Sequence, residues 1–438
     1  MDHIVGNHIQ HFSSVFSVKR MESVAVFQHP NCSLVDGDRV VRNPGAPPLK
    51  SAAEYEEIVN EISRYVEAKL VSNLGFVSIP IPDDDSTTSE HTYILASPDW
   101  LSATKLLLII QNAAGSILGI FSRSICTDEG LSKGSMLPYV ERALSAGYAV
   151  LILRPNTNST FVYDEVTKKV ISKKPILGSE SPEIHALYVL ENIVPQAENL
   201  NHIALLGYGN GASLCKDILL RHMVKAKADG RSEQNKIRAF VTIEASHIIE
   251  DDDTIDFKTT IEKIAINMEC NAAPRGYRLA YRKKKLGCTS LSLGLPAGQT
   301  EVQNVAASIF LALDPVFEYL RIAETDRGCS RSFAIALASS NGHNPPAAEV
   351  VVNPNAADEL IMNPEPPKAA AAAAPPPPAS TPKGGFFSSL FSGGGSSAAK
   401  AKSGKAAADD APPNTKLALT DFDLLKVVGK GAFGKVLI

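Results

Sequence analysis

The stretch of sequence with the clearest potential for chemistry is "ALLGYGNGASL", residues 204–214. An apolar run ends there in three glycines at alternate positions, and a segment typical of a helix follows. α/β-Hydrolases present their nucleophilic serine on such a strand-to-helix turn, written G-x-S-x-G. Gly209 stands where that serine would have to be. Three interpretations follow: a dinucleotide-binding turn, a working hydrolase, or an enzyme-like turn that has lost its chemistry.

The dinucleotide-binding interpretation rests on Gly207-x-Gly209-x-x-Ala212, which follows a predicted strand and opens a predicted helix. Such a site also needs an acidic residue about 20 positions further on, where it binds the ribose. Glu244 ends the next predicted strand but lies too far along the chain. The turn also follows two earlier predicted strands of the sheet rather than its first one. The sequence therefore disfavours a dinucleotide site.

A working serine hydrolase needs a nucleophile, a base within hydrogen-bond reach and a group that orients the base. Gly209 has no side chain to attack with, and Ser213 lies a full helical turn further on. Glycine at the strained elbow position removes that strain at no steric cost. We therefore expect the turn to persist as architecture without the reaction. A hydrolase that uses an unrecognised nucleophile is the alternative.

Other polar residues lie near the ends of predicted strands. Asn112–Gly115 follows the strand 106–110 and occupies the position of an oxyanion loop. His247 follows the strand 239–244, where a buried histidine is favoured over a pocket residue. His343 lies beyond the last predicted helix and is interpreted as a loop residue. Asp251–Asp253 has the spacing of a solvated loop, and no pattern of metal ligands is found.

Apolar runs and helical patterns alternate around the turn, beginning with a capping-box pattern at Ser51 and Glu54. This alternation predicts an α/β fold with a mostly parallel, doubly wound sheet of α/β-hydrolase type. An N-terminal β-hairpin is predicted from the runs 75–81 and 91–96. Helices are predicted at 182–196, at 212–225 and, closing the domain, at 302–322. We place this domain at residues 51–325.

Composition separates the flanking segments from the domain. Residues 1–50 lack a sustained period, which predicts a poorly ordered segment. Residues 326–415 contain proline, alanine, glycine and serine runs that cannot bury a core, which predicts a disordered linker. The remaining residues, 416–438, again have the pattern of strands.

The whole chain of 438 residues has a formal net charge of −4. This balance gives no reason to expect direct nucleic-acid or membrane binding, and the cluster Arg282–Lys285 is interpreted as a solvated loop. No apolar run is long enough for a membrane helix, and no secretory signal is found. The six scattered cysteines indicate neither zinc nor a disulfide framework. We expect a cytoplasmic or nuclear protein with protein partners and with no cofactor or metal for the α/β domain.

The carboxyl end contains a second glycine motif. Gly429, Gly431, Gly434 and Val436 complete the pattern G-x-G-x-x-G-x-V, whose backbone amides approach ATP phosphates. With Asp421–Lys426 before it, this stretch closely resembles the opening of an AGC-type protein serine/threonine kinase. The resemblance implies the first strands of a kinase domain, although a docking tail could mimic the loop.

The catalytic residues of a kinase do not follow within the sequence. The phosphate-pairing lysine, the catalytic aspartate and the magnesium-binding Asp-Phe-Gly are absent before Ile438. We therefore expect no phosphoryl transfer from residues 416–438, and ATP and Mg²⁺ would bind only to a complete kinase domain. A second hypothesis is that the chain is the N-terminal regulatory part of an active kinase.

Several motifs of the α/β domain resemble the argonaute-binding (Arb-type) domain family over about residues 50–325. They include Gly134-Ser135-x-x-Pro138-Tyr139, Arg154-Pro155-Asn156-x-Asn158 and the turn itself. The family occurs in fission-yeast argonaute-binding proteins, in some class II histone deacetylases and in animal cotranscriptional regulators.

The resemblance implies an α/β-hydrolase-like scaffold that acts in RNA-linked silencing or cotranscriptional control. Some members of the family keep a serine, an acid and a histidine. Those positions align with Gly209, Ala272 and about Gly298, so the resemblance implies that all three catalytic groups are absent.

Overall fold

The computed structural model describes residues 25–49, 51–82, 90–112, 117–164, 167, 170–230, 235–295, 301–340, 427–431 and 434–437. The chain divides into two compact units, Met1–Ser392 and Gly393–Ile438.

The strands, in chain order, are β1 Cys32–Val35, β2 Arg39–Arg42, β3 Val77–Ile81, β4 Thr92–Ala96, β5 Lys105–Ile110, β6 Ala149–Ile152, β7 Ser159–Tyr163, β8 Val170–Pro175, β9 His202–Tyr208, β10 Ile237–Ile243, β11 Ala265–Glu269, β12 Thr289–Ser292, β13 Val427–Gly431 and β14 Gly434–Leu437. The α-helices are α1 Ala52–Leu74, α2 Arg123–Asp128, α3 Leu131–Gly134, α4 Leu137–Ser145, α5 Pro182–Tyr188, α6 Gly211–Ala228, α7 Ile255–Ile264, α8 Ala280–Leu286, α9 Glu301–Ala323 and α10 Cys329–Ser340. Among the helices of these described residues, none has the length and apolar character to cross a membrane.

An eight-stranded sheet in the order β12-β11-β10-β9-β5-β6-β4-β3 forms the centre of the first unit. The strands from β12 to β6 pair in parallel, while β4 pairs antiparallel with both β6 and β3. The sheet confirms the predicted mostly parallel α/β fold of hydrolase type. The predicted N-terminal hairpin is the pair β3 and β4.

Apolar residues cover both faces of the sheet, as a doubly wound fold requires. Successive residues of β5 alternate between the two faces: Leu107 and Ile109 pack into one core, and Leu106, Leu108 and Ile110 pack into the other. The first core also contains side chains of α1, α4, α9 and α10, whereas the second contains side chains of α5, α6 and α7. This double burial explains why the central strands are continuous apolar runs.

The described part of the amino-terminal segment, residues 25–49, contains two strands that the sequence pattern does not predict. β1 and β2 form an antiparallel hairpin, and Cys32 and Val40 are buried against the core. Arg42 donates to Glu54 of α1 at 2.7 Å between Nη1 and Oε1. Strands of four residues are too short for a periodic pattern, and this hairpin depends on tertiary contacts with α1.

The helix α10 lies beyond the predicted domain boundary at 325, inside the segment predicted to be a linker. Phe333 of α10 is buried, and its ring meets Tyr319 edge-on with 5.3 Å between centroids. The Cys329 thiol is also buried and donates to the Tyr319 hydroxyl at 3.1 Å. Buried contacts therefore continue past residue 325 into α10.

The predicted helix 182–196 is divided in the structure. α5 is followed by a π-helical turn, Val189–Ile193, and a 3₁₀ turn, Val194–Gln196. Pro195 lies in the 3₁₀ turn and cannot donate a backbone hydrogen bond, which is consistent with the irregular ending. The hairpin of β7 and β8 was not predicted from the sequence.

The second unit contains a short antiparallel hairpin. β13 pairs with β14 so that Gly429 lies opposite Val436 and Gly431 lies opposite Gly434. The interpretation of this hairpin as the start of a kinase domain stays a prediction.

Candidate functional site

The glycine turn forms a sharp elbow between β9 and α6. Gly209 has a φ of +54°, a left-handed conformation that favours glycine over residues with a side chain. Its amide donates to the carbonyl of Ile243 at 2.9 Å, and its own carbonyl accepts from the amide of Ala212 at 3.1 Å. The backbone at Gly209 is therefore fixed by the neighbouring strand and by the first turn of the helix.

The two flanking glycines, Gly207 and Gly211, lie so close to neighbouring backbone that a side chain would not fit at either position. A Cβ on Gly211 would lie 2.3 Å from the carbonyl oxygen of Ile110, and a Cβ on Gly207 would lie 2.7 Å from the backbone of Ala212. These neighbours are backbone atoms, which cannot move aside as the end of a flexible side chain could. Gly207 and Gly211 thus let α6 start directly against β5 and β9.

Asn112 fills the space above the elbow. Its Oδ1 accepts from the amide of Asn210 at 3.3 Å, and a Cβ on Gly209 would lie 3.1 Å from its Cγ. In α/β-hydrolases the amide that follows the nucleophile is a donor of the oxyanion hole. The side-chain oxygen of Asn112 therefore accepts the hydrogen bond that the Asn210 amide would donate to a substrate oxygen in a hydrolase.

The motif Arg154–Asn158 builds the loop that supports Asn112. The Asn156 side-chain amide donates to the Asn112 carbonyl at 3.2 Å. The Asn158 side-chain amide donates to the carbonyls of Pro155 and Ser179, at 2.9 and 2.8 Å. These contacts account for the two asparagines structurally, without assigning them a catalytic role.

His185 contacts the same loop from the start of α5. Its Nε2 accepts from the Arg154 amide at 3.1 Å, and its Nδ1 lies 2.9 Å from the Ser179 hydroxyl. Burial lowers the pKa of His185 to about 3 because the imidazolium would lose its hydration. The ring is therefore a neutral part of the scaffold.

Ser246 and His247 follow β10, but they do not form a nucleophile–base pair. The Ser246 hydroxyl donates to Asn210 Oδ1 at 2.7 Å, whereas His247 Nε2 donates to the carbonyl of Leu286 at 3.0 Å. Burial lowers the pKa of His247 to about 4. His247 is thus a buried neutral histidine directed at α8.

The other positions considered for a triad offer little chemistry. Ala272, where the acid would align, is exposed after β11 and has only a methyl group. Ser213 lies in the first turn of α6, where its amide donates to the Asn210 carbonyl at 3.0 Å. Gly298 and His343 lie outside the described residues.

Glu244 has an unusual environment that no sequence pattern indicates, since its only predicted role was that of a ribose ligand, which the spacing disfavours. It follows β10 with a φ of +52°, which is rare for a residue with a side chain. Its Oε1 accepts from the Cys270 amide at 2.7 Å. Burial raises its pKa to about 7 despite this hydrogen bond. Among the described residues no histidine donates to Glu244, so it does not orient a base.

A buried polar network lies on the neighbouring strands. Asn267 Oδ1 accepts from the Ala245 amide and from the Thr242 hydroxyl, each at 3.1 Å. Asn267 Nδ2 donates to Glu269 Oε2 at 3.0 Å, and Arg282 pairs with the same oxygen at 2.7 Å. These contacts tie the loop after β10 to β11 and α8. Within the described ranges, no cluster of three histidine, cysteine or acidic side chains could hold a metal ion.

Asp253 corrects the interpretation of the acidic loop as merely solvated. Its carboxylate pairs with Lys216 of α6 at 2.9 Å, with both side chains buried. The Lys216 ammonium also donates to the carbonyl of Ile248 at 2.7 Å. A buried ion pair of this kind fixes the loop after β10 against the helix that starts at the elbow.

A cavity of about 550 Å³ lies at the end of the sheet where the parallel strands such as β5 begin. Lys105 lies in its wall and is paired with Glu324 at 2.9 Å, with its ammonium 4.7 Å from the centre of the Tyr148 ring. The elbow lies at the opposite end of the sheet, after the carboxyl-terminal end of β9. This cavity is therefore separate from the candidate site.

Fold and site together define an α/β-hydrolase-type domain whose elbow has no nucleophile and whose oxyanion donor faces an internal amide. The sequence matches the Arb2 domain family over residues 50–274. The chain belongs to this family.

The curated relatives include the cotranscriptional regulator ARB2A of Mus musculus, 31% identical over 121 residues, which are 27% of this chain and 28% of the relative. The cotranscriptional regulator ARB2A homolog of Xenopus tropicalis is 24% identical over 240 residues, 44% of this chain and 54% of the relative. The chain thus spans from about a quarter to just over half of the length of these two relatives.

Among solved structures, a histone deacetylase from Saccharomyces cerevisiae aligns with a TM-score of 0.36 at 12% identity, covering 62% of this chain and 98% of that one. A fungal esterase from Rhizomucor miehei aligns with a TM-score of 0.31 at 13% identity, covering 63% of this chain and 98% of that one.

Proposed function

We propose that the Arb2 domain of this chain is a non-catalytic scaffold that regulates through protein contacts. The observation that carries the proposal is the elbow: Gly209 has no nucleophile, and Asn112 accepts from the Asn210 amide at 3.3 Å. A hydrolase needs both that side chain and an open donor. The site keeps the shape of an enzyme while neither requirement is met.

The proposed setting is the control of transcription in the nucleus. It is supported by relatives in mouse and frog that are named cotranscriptional regulators. The proposed partners are proteins of the transcription or RNA-silencing machinery. A cytoplasmic pool of the protein is compatible with the same role.

A tethering assay tests this function. The full chain, fused to a sequence-specific DNA-binding module, is recruited to a reporter promoter, and nascent transcript output is measured. We expect recruitment to change the output, and Ser213→Ala to behave like the unmodified chain because no serine chemistry is involved. Gly211→Leu breaks the elbow and serves as the inactive control. Unchanged output on recruitment, or a loss of effect with Ser213→Ala, would contradict the proposal.

A second proposed function is that of the regulatory region of an AGC-type serine/threonine kinase. Its support is the motif Gly429–Val436 together with the antiparallel pairing of β13 and β14. The α/β domain needs no cofactor in either proposal, and ATP with Mg²⁺ would bind only to a complete kinase domain. Sequencing of the full-length transcript tests it: an open frame past codon 438 that encodes an Ala-x-Lys strand and a catalytic loop is expected. A stop codon at that point would contradict it.

A further inference from the structure

We propose that β8 is a docking edge for an extended segment of a partner protein, one in which acidic residues precede apolar ones. The partner segment adds to the sheet of β7 and β8 as a third strand. This inference rests on the proposed scaffold function, because it names the kind of protein contact through which that scaffold acts. The strand β8 reads Val-Ile-Ser-Lys-Lys-Pro over Val170–Pro175.

The hairpin of β7 and β8 forms a two-stranded sheet of its own, apart from the eight-stranded sheet. All six residues of β8 are exposed. Outside the β7–β8 pairing, no backbone–backbone hydrogen bond of the described residues uses an amide or carbonyl of β8. Such an edge is a template for a further strand, since its amides and carbonyls can bond to it. The outer edge of β8 is therefore open to strand addition.

Burial distinguishes the two strands of this hairpin. Thr160 and Val162 of β7 are half-buried. In contrast, Val170 and Ile171 of β8 are 51% and 63% exposed. These two apolar side chains lie where a strand added to β8 would cover them. The edge of β8, rather than that of β7, therefore has apolar area to bury against a partner.

Lys173 is the cation that this edge offers to a partner. It lies opposite Phe161 of β7, and its ammonium is 5.9 Å from the centre of the Phe161 ring. The neighbouring Lys174 lies opposite Thr160 and pairs with Glu90 at 3.6 Å, which places the two lysines on opposite faces of the hairpin. Lys173 forms no ion pair with any residue that the structure describes. The Lys174 pair is exposed, so a partner carboxylate can replace Glu90 at little cost.

The acidic residues of the hairpin lie at its turn and not beside these lysines. Residues 168–174 contain four lysines and no acidic residue. Asp164 follows β7, and its carboxylate accepts from the amide and the hydroxyl of Thr167 at 2.6 and 2.8 Å. The turn joins the end of β7 to the start of β8, where Tyr163 lies opposite Val170. Within the hairpin, the far end of β8 is therefore the basic end.

Charge complementarity selects the partner. Because β8 is apolar at its start and basic at Lys173 and Lys174, an antiparallel partner strand matches it with two acidic residues, one spacer and two apolar residues. Opposite charges on neighbouring strands stabilise a sheet, whereas like charges directly opposite each other destabilise it. A second copy of β8 would bring two more lysines to the same short edge. The lysines thus disfavour self-pairing and favour an acidic strand.

The probe is the fluorescein-labelled peptide Gly-Glu-Glu-Thr-Ile-Val-Gly, whose anisotropy is measured as the full chain is added. We expect a Kd on the order of 100 µM, since each exposed cross-strand charge pair contributes little. A peptide with Lys-Lys in place of Glu-Glu should not bind. Two further peptides are methylated on alternate backbone nitrogens. Only one of these two should bind, because alternate amides of an added strand face β8.

Variants and hydrogen exchange locate the binding edge. Lys173→Gln with Lys174→Gln removes two cross-strand charge pairs and should weaken peptide binding roughly two- to thirty-fold. Lys225→Gln with Lys227→Gln removes the same charge from exposed positions of α6 and is the matched control. Lys173→Glu with Lys174→Glu should transfer the preference to the Lys-Lys peptide. Added peptide should slow amide exchange within Val170–Pro175 of the unmodified chain.

Weaker binding in the Lys173 and Lys174 variant, with the control unchanged and β8 protected, supports the proposal. Equal weakening in the control, binding of both methylated peptides, or no binding of the acidic peptide would overturn it. Protection of β8 that grows with chain concentration in the absence of peptide would identify a second copy as the occupant and would also overturn it.

The tethering assay separates this inference from the scaffold function. A chain that changes transcript output on recruitment but does not bind the acidic peptide contradicts the docking edge alone. A chain that binds the peptide at β8 but leaves the output unchanged contradicts the scaffold function alone.

Discussion

At the scale of residues, the elbow differs from that of a serine hydrolase at two positions, Gly209 and Asn112. Gly209 supplies no nucleophile, and the left-handed φ of +54° would strain any side chain placed there. Asn112 lies 3.1 Å from where that Cβ would start and accepts from the amide that would stabilise an oxyanion. Restoring a serine alone therefore does not restore an open site.

Gly209→Ser tests this arrangement. We expect no ester hydrolysis above the unmodified chain and a loss of about 1–2 kcal/mol of folding free energy, because φ is positive and the Asn112 amide is crowded. Adding Asn112→Gly should recover part of that loss, so that the double variant is more stable than the sum of the single changes predicts. Chemical denaturation and p-nitrophenyl acetate turnover are the measurements. Turnover by Gly209→Ser alone would contradict the account.

The raised pKa of Glu244 predicts a specific pH dependence. Its carboxyl titrates at about 7 in the folded chain against an ordinary value of 4.5, so the folded state retains the proton longer. Its contribution to stability is fully present below about pH 4.5 and is lost as pH rises through 7, by roughly 3 kcal/mol.

Glu244→Gln should remove that loss. Subtracting the variant's free energy of unfolding from that of the unmodified chain, between pH 4.5 and 8, isolates the carboxyl from His185 and His247. Those two histidines act in the opposite direction, because their lowered pKa values cost stability as pH falls below about 6.5. A flat difference curve would show that Glu244 titrates normally.

At the scale of elements, the elbow depends on the contact between α6 and β5. A Cβ on Gly211 would meet the Ile110 carbonyl at 2.3 Å. We therefore expect Gly211→Ala to cost about 3 kcal/mol or more, because two backbone segments would have to separate. Gly230→Ala is the matched control: its φ of +69° is strained, but its Cβ would meet nothing within 4 Å. Urea denaturation measures the free energy of unfolding of both variants. Equal losses would show that the contact between α6 and β5 does not exclude a side chain at Gly211.

The helix α10 is expected to be an integral part of the domain. Phe333→Ala should destabilise it by about 3–5 kcal/mol, because the buried ring leaves a cavity against Tyr319. Ile255→Ala, at a side chain that is 82% exposed, should change stability by no more than about 0.5 kcal/mol. A cost for Phe333→Ala as small as that of the control would restore the boundary at 325.

Local sequence patterns predict some elements of the fold and not others. β5 and β9 are buried on both faces and therefore read as continuous apolar runs, and the Ser51 cap of α1 was visible as a capping box. The hairpin β1–β2 and the helix α10 were missed because their stability comes from distant partners such as Glu54 and Tyr319. Local patterns cannot show such contacts.

The candidate site was predictable only in part, for the same reason. The glycine at the elbow is a property of the sequence, and so is the loop position of Asn112. The hydrogen bond that joins Asn112 to Asn210 spans 98 positions of the chain and depends on the parallel pairing of β5 with β9. The raised pKa of Glu244 likewise depends on burial that only the fold creates.

At the scale of the whole molecule, the Arb2 domain keeps the fold of an α/β-hydrolase. The chain matches the Arb2 family over residues 50–274, and the glycines of its elbow let the helix α6 start directly against the sheet. Net charge, averaged over 438 residues, describes solubility and not the local fields at which partners bind. The central proposal is that the Arb2 domain of this chain acts through protein contacts and not through hydrolysis.

Labelling of the purified full chain with a fluorophosphonate probe, followed by mass spectrometry, tests that claim most directly. The probe reacts covalently with an activated serine and does not need a known substrate. We expect no modified serine under conditions in which a serine esterase is labelled completely. Stoichiometric labelling that disappears in Ser213→Ala or Ser246→Ala would identify a working nucleophile and contradict the account.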